Sequence, residues 1–458
     1  MVCTPEGIEV RAACAPLPSS HDGIHVTIPL GKARMSQVST APTGYRIVEI
    51  PESRKDEFQQ IDQLAFAFEP DAETSAQVPL TLDWSRTMAA ETESGTLAAV
   101  HASFPFTLPV PGAEVPCAGL TWVGARPDHR RRGLLSAMID THFERSLGRG
   151  EPVSALFAAE PAIYGRFGYG SAADDVRLVI ARGATLRDVA GSDDLTVRFE
   201  PLDRAVHVPL VQAVHAAAGN GRPGWIRRDT TLLQERQLAD PPAWRDGGEP
   251  LRVVTVLSGD TPRAYALLRR KEVSGDGGAR NKVLVREVAA LDAAAAHRLW
   301  SVLLDLDLTA TVESGMLAVD DELLHLLVDP RATVPKVSDN LWVRVLDVPT
   351  ALAARRYSAP VDVVLDVTDA RLPANAGHWR LVTGVQGSDG AWDAQVTSTT
   401  EPADVTVDVR ELGATYLGGR SFAALGRASL VAEHRAGALQ GVSAAFRWPL
   451  APVCSWIF

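Results

Sequence analysis

Long apolar runs, paired cysteines and an excess of positive charge are all missing from this 458-residue chain, and each absence closes a route. No stretch reaches the roughly 18 uninterrupted apolar residues that a membrane-spanning helix needs. Glu6 and Glu9 stand where a secretion signal would carry its hydrophobic core. The expectation is a cytoplasmic protein with no membrane partner. Cys3, Cys14, Cys117 and Cys454 are few and scattered, and neither a C-x-x-C pair nor an H-E-x-x-H motif occurs. Free thiols are therefore expected, with no disulfide framework and no metal. The 45 Lys and Arg against 56 Asp and Glu leave a net charge of −11, which repels phosphate backbones and suits a cationic small molecule, so no nucleic-acid partner is expected. The absence of a G-x-S-x-G elbow argues against an α/β-hydrolase.

What is present reads as ordinary globular composition, 46% hydrophobic and 22% charged, and at roughly 150 residues per domain the length suggests about three domains. Residues 1–43 have scattered Pro, Gly and Ser without a sustained period, predicting a poorly ordered extension. From Tyr45 the pattern becomes structured. It predicts a strand over Tyr45 to Ile50, a helix over Lys55 to Phe68 with Phe58, Ile61, Leu64, Ala65 and Phe68 on its apolar face, and strands over Thr96 to Leu108 and Ala118 to Gly124. A helix over Arg130 to Leu147 and a buried strand over Val153 to Ala158 complete a βαβ unit whose loop faces a ligand. This first domain spans 44–192. A second, over 193–348, echoes it with strands over Arg263 to Val273 and Lys282 to Leu291 and a helix over Asp292 to Leu304, but its loop, Leu291-Asp292-Ala293-Ala294-Ala295-Ala296-His297, has neither glycine nor arginine. A third, over 349–458, alternates strands and short helices as a small α+β unit. The fold class is mixed α+β.

The strongest chemical signal is Thr121-Trp122-Val123-Gly124-Ala125-Arg126-Pro127-Asp128-His129-Arg130-Arg131-Arg132-Gly133-Leu134-Leu135. A pyrophosphate needs backbone N–H donors converging at a helix N-terminus, a glycine at the closest approach and fixed positive charge nearby. Arg130 through Gly133 supplies all three. The bland alternative, a basic surface patch, sets three arginines against the helix dipole unless an anion is present. Trp84, Trp122, Phe66 and Phe68 are candidates for lining an acceptor cleft, since aromatic faces attract ammonium groups; core packing competes for all but Trp122. Gly165-Arg166-Phe167-Gly168-Tyr169-Gly170 lacks dinucleotide-loop spacing and reads as a turn-rich wall beside Tyr164. His129 and His142 read as structural. The terminal run from Phe446 to Phe458 is unusually apolar, and is either a strand closing the third domain or a docked end.

Arg130-x-x-Gly133-x-Leu135 resembles the R/Q-x-x-G-x-G/A loop of the GNAT acyltransferases and departs from it at the last position. Pro127-x-His129-Arg130-Arg131-Arg132-Gly133-Leu134-Leu135, followed by Ile163-Tyr164-Gly165-Arg166-Phe167-Gly168-Tyr169-Gly170, is similar to the Eis (enhanced intracellular survival) family of N-acetyltransferases. Tyr416-Leu417-Gly418-Gly419 extends the likeness to that family's sterol-carrier-like third domain. The resemblance implies tandem GNAT-like domains, acetyl-CoA as co-substrate, a homo-hexamer, and acetylation of primary amines of aminoglycoside, polyamine or lysine type by direct transfer in a ternary complex. It implies that Val123, Gly124 and Ala125 pair with the pantetheine amides, that Arg130, Arg131, Arg132, Gly133, Leu134, Leu135 and Ser136 hold the pyrophosphate, and that Ala159 and Glu160 line the next stretch. Ala159 stands where the family carries a serine. Tyr164 is implied as general acid and the terminal carboxylate of Phe458 as general base. The alternative is a non-catalytic lipid or small-molecule binder that uses the third domain.

Overall fold

The computed structural model describes residues 41–275 and 278–458, so the extension expected over 1–43 lies outside the described residues except for 41–43. The first sheet begins with β1 (Tyr45–Glu49), β2 (Thr87–Thr92), β3 (Leu97–Val110), β4 (Ala113–Ala125) and β5 (Val153–Phe157) in that spatial order. Helices α1 (Lys55–Phe66) and α2 (Ala72–Gln77) lie between β1 and β2, α3 (Leu134–Gly148) crosses from β4 to β5, and α4 (Pro161–Tyr164) follows β5. Among the described residues no helix is long and apolar enough to cross a membrane.

Local sequence explains most boundaries. β3 and β4 turn at Pro111-Gly112, where Gly112 has φ +63, and both strands run further than expected, through Pro109 and Pro116. α1 ends at Ala67, whose left-handed backbone (φ 55) stops the helix short of Phe68. Only the Phe58 and Ile61 part of its expected apolar face is buried against the sheet; Leu64, Ala65 and Phe68 are exposed. α3 begins four residues later than expected because Arg131 and Gly133 both take positive φ.

The two GNAT-like units exchange strands. Asp174–Ala181, which falls within the first domain expected over 44–192, pairs antiparallel with Thr309–Glu313 and Thr333–Asp339 of the second sheet. Leu341–Val345, at the end of the second unit, inserts between β5 and Gly170–Ser171 in the first. Sheet boundaries thus cross the 192/193 division expected from sequence. The second sheet repeats the anticipated plan: Asn281–Ala290 is joined to the parallel strand Thr309–Glu313 through the helix Ala293–Leu304.

In the third domain a five-stranded sheet is ordered Trp392–Ser398, Gly377–Gln386, Asp362–Thr368, Val405–Asp408, Val431–Glu433. Its interior holds a fully buried arginine, Arg355, whose guanidinium lies 4.5 Å from the Phe446 ring and 4.9 Å from the Tyr357 ring. It donates to the carbonyls of Tyr416 at 2.5 Å and Phe446 at 2.7 Å. Phe104, Phe106 and Val153 of the first domain, the third-domain interior and the C-terminal tail share one continuous apolar core.

Two glycines set the contact between first and third domains. A Cβ on Gly170 would lie 2.0 Å from the Arg410 carbonyl oxygen and one on Gly413 would lie 2.3 Å from that of Val343. Backbone cannot yield as a side chain can, so Gly170→Ala is expected to destabilise the protein by at least about 2 kcal/mol, read from urea unfolding.

Candidate active site

β4 and β5 pair in parallel only at Cys117, Ala118 and Gly119 against Val153, Ser154 and Ala155. Beyond that point β4 stays with β3 and β5 stays with Leu341–Val345, so the sheet parts. The opening half of β4 also carries a bulge: the register with β3 shifts between Val100 and Ala102, placing Trp122 and Val123 opposite His101. Trp122 takes φ 53, a conformation rarely adopted by a bulky side chain. A cavity of about 1280 Å³ opens here, lined by Leu120 through Val123, Phe157 through Ala159, one face of α1 and α2, the second domain and the tail.

Tyr164 and Phe458 both line this cavity. Tyr164 closes α4, which Pro161 initiates, and its ring is met edge-on at 6.0 Å by Tyr169, whose hydroxyl lies 2.8 Å from Ser154 Oγ. Burial, helped by the negative charge of Glu160, pushes the Tyr164 phenol up to about 12, so it remains protonated throughout the neutral range. The Phe458 ring packs 4.8 Å from Phe106, 5.4 Å from Phe157 and 6.3 Å from Phe104. Gly119 makes the space, since a Cβ there would lie 2.4 Å from the Phe106 ring and 3.3 Å from the Phe458 ring. Tyr164 belongs to the apolar cluster on the α3 side of the sheet and Phe458 to that on the other side.

The tail reaches the cavity as a docked irregular segment, not as a strand. Asn340 brackets Cys454 with two hydrogen bonds, at 2.8 and 3.0 Å. The second domain grips the rest: Val453 N–H donates to Pro223 O at 3.1 Å, Trp456 Nε1 to Ile226 O at 2.7 Å, and His215 Nε2 lies 2.7 Å from Ser455 Oγ. Beneath Trp456 lies a buried ion pair, Arg228 to Glu287 at 2.7 Å, with the Arg228 guanidinium 5.9 Å from the indole. Burial alone pushes the Glu287 carboxyl up, but Arg228 overrides it and holds the group well below its usual range.

At the C-terminal end of β4 the loop from Arg130 to Gly133 is largely exposed. Gly133 is the N-cap of α3, so no side chain caps the helix, and its first turn has no acidic residue. Among the described residues the Arg130 and Arg131 guanidinium groups have no hydrogen-bond or ion-pair partner. Arg132 is engaged, donating to Tyr45 Oη at 2.9 Å and the Asp128 carbonyl at 3.1 Å. An uncapped helix start flanked by cations is electrostatically suited to an anion. His129 holds the Tyr45 hydroxyl at 2.8 Å and His142 is buried against Ser154, both structural.

Of the residues singled out from sequence, Tyr164, Phe458, Trp122, Val123, Ala159, Phe66 and Phe68 share the cavity wall. Gly124, Ala125, the segment from Arg130 to Ser136, and Glu160 lie outside that wall. Trp84 does not reach it either; it packs edge-on at 6.0 Å against Phe58. The sequence reading missed the second-domain wall, including Leu233, Arg236, Trp244 and Arg286, and it missed Asp62. Asp62 had a local signal: a carboxylate one turn after Phe58 continues that helix's buried stripe.

The chain matches the acetyltransferase (GNAT) domain family over residues 46–172, a second acetyltransferase (GNAT) domain family over 224–345 and the sterol carrier protein domain family over 348–455. An uncharacterized N-acetyltransferase of Streptomyces coelicolor is 40% identical over 372 residues, 81% of this chain and 87% of that protein. The N-acetyltransferase Eis of Mycobacterium tuberculosis is 34% identical over 351 residues, 74% of this chain and 80% of that protein. The crystal structure of Eis1 from Mycobacterium abscessus superposes with a TM-score of 0.73 at 29% identity, covering 90% of this chain and 100% of that one. A GCN5-related N-acetyltransferase from Anabaena variabilis shares the fold, with a TM-score of 0.75 at 18% identity and the same 90% and 100% coverage.

Replacing Arg130 and Arg131 together by glutamine is expected to weaken coenzyme A binding about tenfold or more, measured by calorimetry. The unfolding midpoint should stay in place, because neither guanidinium has a partner to lose. Unaltered affinity would remove this loop from the donor site.

Proposed function

This chain belongs to the Eis-like N-acetyltransferases of the GNAT superfamily, and from that premise we propose that it acetylates primary amines by direct transfer within a ternary complex. The GNAT acetyltransferase fold implies acetyl-CoA as the donor. The acceptors are polycationic small molecules of aminoglycoside or polyamine type, or lysine side chains. The supporting observation is that Tyr164 and Phe458 line one cavity where β4 and β5 part, with the uncapped start of α3 following β4.

In this reading Arg130, Arg131 and the first-turn N–H groups of α3 take the pyrophosphate, while Val123, Gly124 and Ala125 face the pantetheine arm. The acceptor ammonium passes a proton to the α-carboxylate of Phe458, and the freed nitrogen attacks the thioester carbonyl carbon. The carbon–sulfur bond then breaks, Tyr164 protonates the departing sulfur, and the second proton shed by the nitrogen as it becomes an amide restores the phenol. Charge develops on that sulfur only as the bond breaks, so the phenol acts chiefly in the transition state. Family membership also supports a homo-hexamer working in the cytoplasm. Against the apolar-carrier alternative stands Arg355, a cation occupying the third domain's interior.

Thiol release from acetyl-CoA with a panel of amines tests the activity, and its absence with every amine refutes it. Tyr164→Phe should lower kcat about a hundredfold or more with coenzyme A affinity unchanged; normal turnover excludes the phenol. Residues appended after Phe458 should abolish turnover while the unfolding midpoint holds, and a fully active extended protein excludes the carboxylate.

A further inference from the structure

Among the described residues with a buried side chain, every carboxylate but one is paired with an arginine. Glu91, Glu151, Asp175, Glu287, Asp369 and Glu411 each have an arginine nitrogen within 3.2 Å. Asp62 is equally buried, at 6% exposure, yet among the described residues its carboxylate has neither an ion-pair nor a hydrogen-bond partner. It lines the cavity shared by Tyr164 and Phe458.

A carboxylate held in a mostly buried cavity wall with no bonded partner is stabilised by any cation that joins it there. The fold prevents that something from being Arg236, the nearest counter-charge. Arg236 also lines the cavity, but its guanidinium donates to the Pro79 carbonyl at 3.2 Å and lies 6.0 Å from the Trp244 ring, and among the described residues no carboxylate comes within ion-pair distance of it. Helix α1 is likewise held in place: a Cβ on Gly124 of β4 would lie 3.0 Å from Ala65 Cβ and 3.7 Å from Asp62 Cα. The carboxylate is thus fixed beside the bulged half of β4, the strand that faces the donor.

We propose that Asp62 is the seat for an ammonium group of the acceptor, kept vacant by the tethering of Arg236 and filled when a cationic amine enters the cavity. The site rests on the amine-acetylating reading given above. Burial raises the Asp62 carboxyl to about 6, and Arg236 pulls the other way; an arriving cation supplies the larger pull that restores full ionisation. The two residues act on the ligand with opposite signs. Asp62 attracts an ammonium group, whereas Arg236, on the same cavity wall, repels it and limits affinity.

The test is calorimetric titration of spermidine into the full chain without acetyl-CoA, for the wild type, Asp62→Asn and Arg236→Gln, alongside thiol-release kinetics with the same amine. Asp62→Asn should weaken spermidine binding about tenfold or more and raise KM similarly, with acetyl-CoA KM unchanged. Its unfolding midpoint should be unchanged or higher, since an unpaired buried charge is removed. Arg236→Gln should tighten spermidine binding a few-fold. A structural pair would behave differently, both variants losing stability and weakening the amine together, and that result overturns the proposal. So does equal spermidine affinity in the wild type and Asp62→Asn, or no spermidine binding by the wild type. Spermidine binding that depends on Asp62 without thiol release from any amine leaves the seat standing and refutes the acetyl-transfer reading instead.

Discussion

The candidate site is arranged around the point where two parallel strands stop pairing. β4 and β5 share only three residue pairs, and the gap that follows gives access to both faces of one sheet. Tyr164 approaches from the α3 side and Phe458 from the other. The gap would be an unsupported break without the aromatic ring of Phe458, which Phe104, Phe106 and Phe157 surround and for which Gly119 leaves room. The segment that brings the C-terminus to the cavity is therefore also part of the apolar packing below the opening.

The two GNAT-like units show how the same βαβ geometry is used twice with opposite electrostatics. In the first, α3 starts at a glycine with no capping side chain, and Arg130 and Arg131 have no ion-pair partner among the described residues. In the second, the corresponding helix is capped by Asp292, whose carboxylate accepts from Ala295 N–H at 2.8 Å and also binds Arg263. One helix start has no capping side chain, while the other is capped by the chain's own carboxylate. The second unit has a different task. Through Pro223, Ile226 and His215 it holds the tail, and through Arg236, Trp244 and Arg286 it closes the cavity wall.

Strand exchange makes this division of labour rigid. Because Leu341–Val345 completes the first sheet and Asp174–Ala181 completes the second, neither unit can move away without breaking a ladder of backbone hydrogen bonds. Gly170 against the Arg410 carbonyl adds a backbone contact to the third domain. The tail then spans the distance from the third-domain core to the opening under tension from no single residue, held by hydrogen bonds at nearly every step from Ala451 to Trp456.

Periodicity and turn chemistry, both local properties, made the helices α1 and α3, the β3–β4 hairpin and the repeat in the second unit legible in the residues alone. The phenol at Tyr164 and the apolar terminus were legible too, by resemblance and by composition. Strand exchange was not, since hydrophobic alternation marks a strand without saying which sheet accepts it. Nor was the role of Trp84, an aromatic residue like Trp122 in sequence but turned into the core against Phe58. Asp62 and Arg236 lie 174 positions apart and meet across one cavity only because two domains fold face to face. Residue types and their short-range spacing determined which chemistry was available; long-range packing decided which groups share a volume, and so which of them can act together.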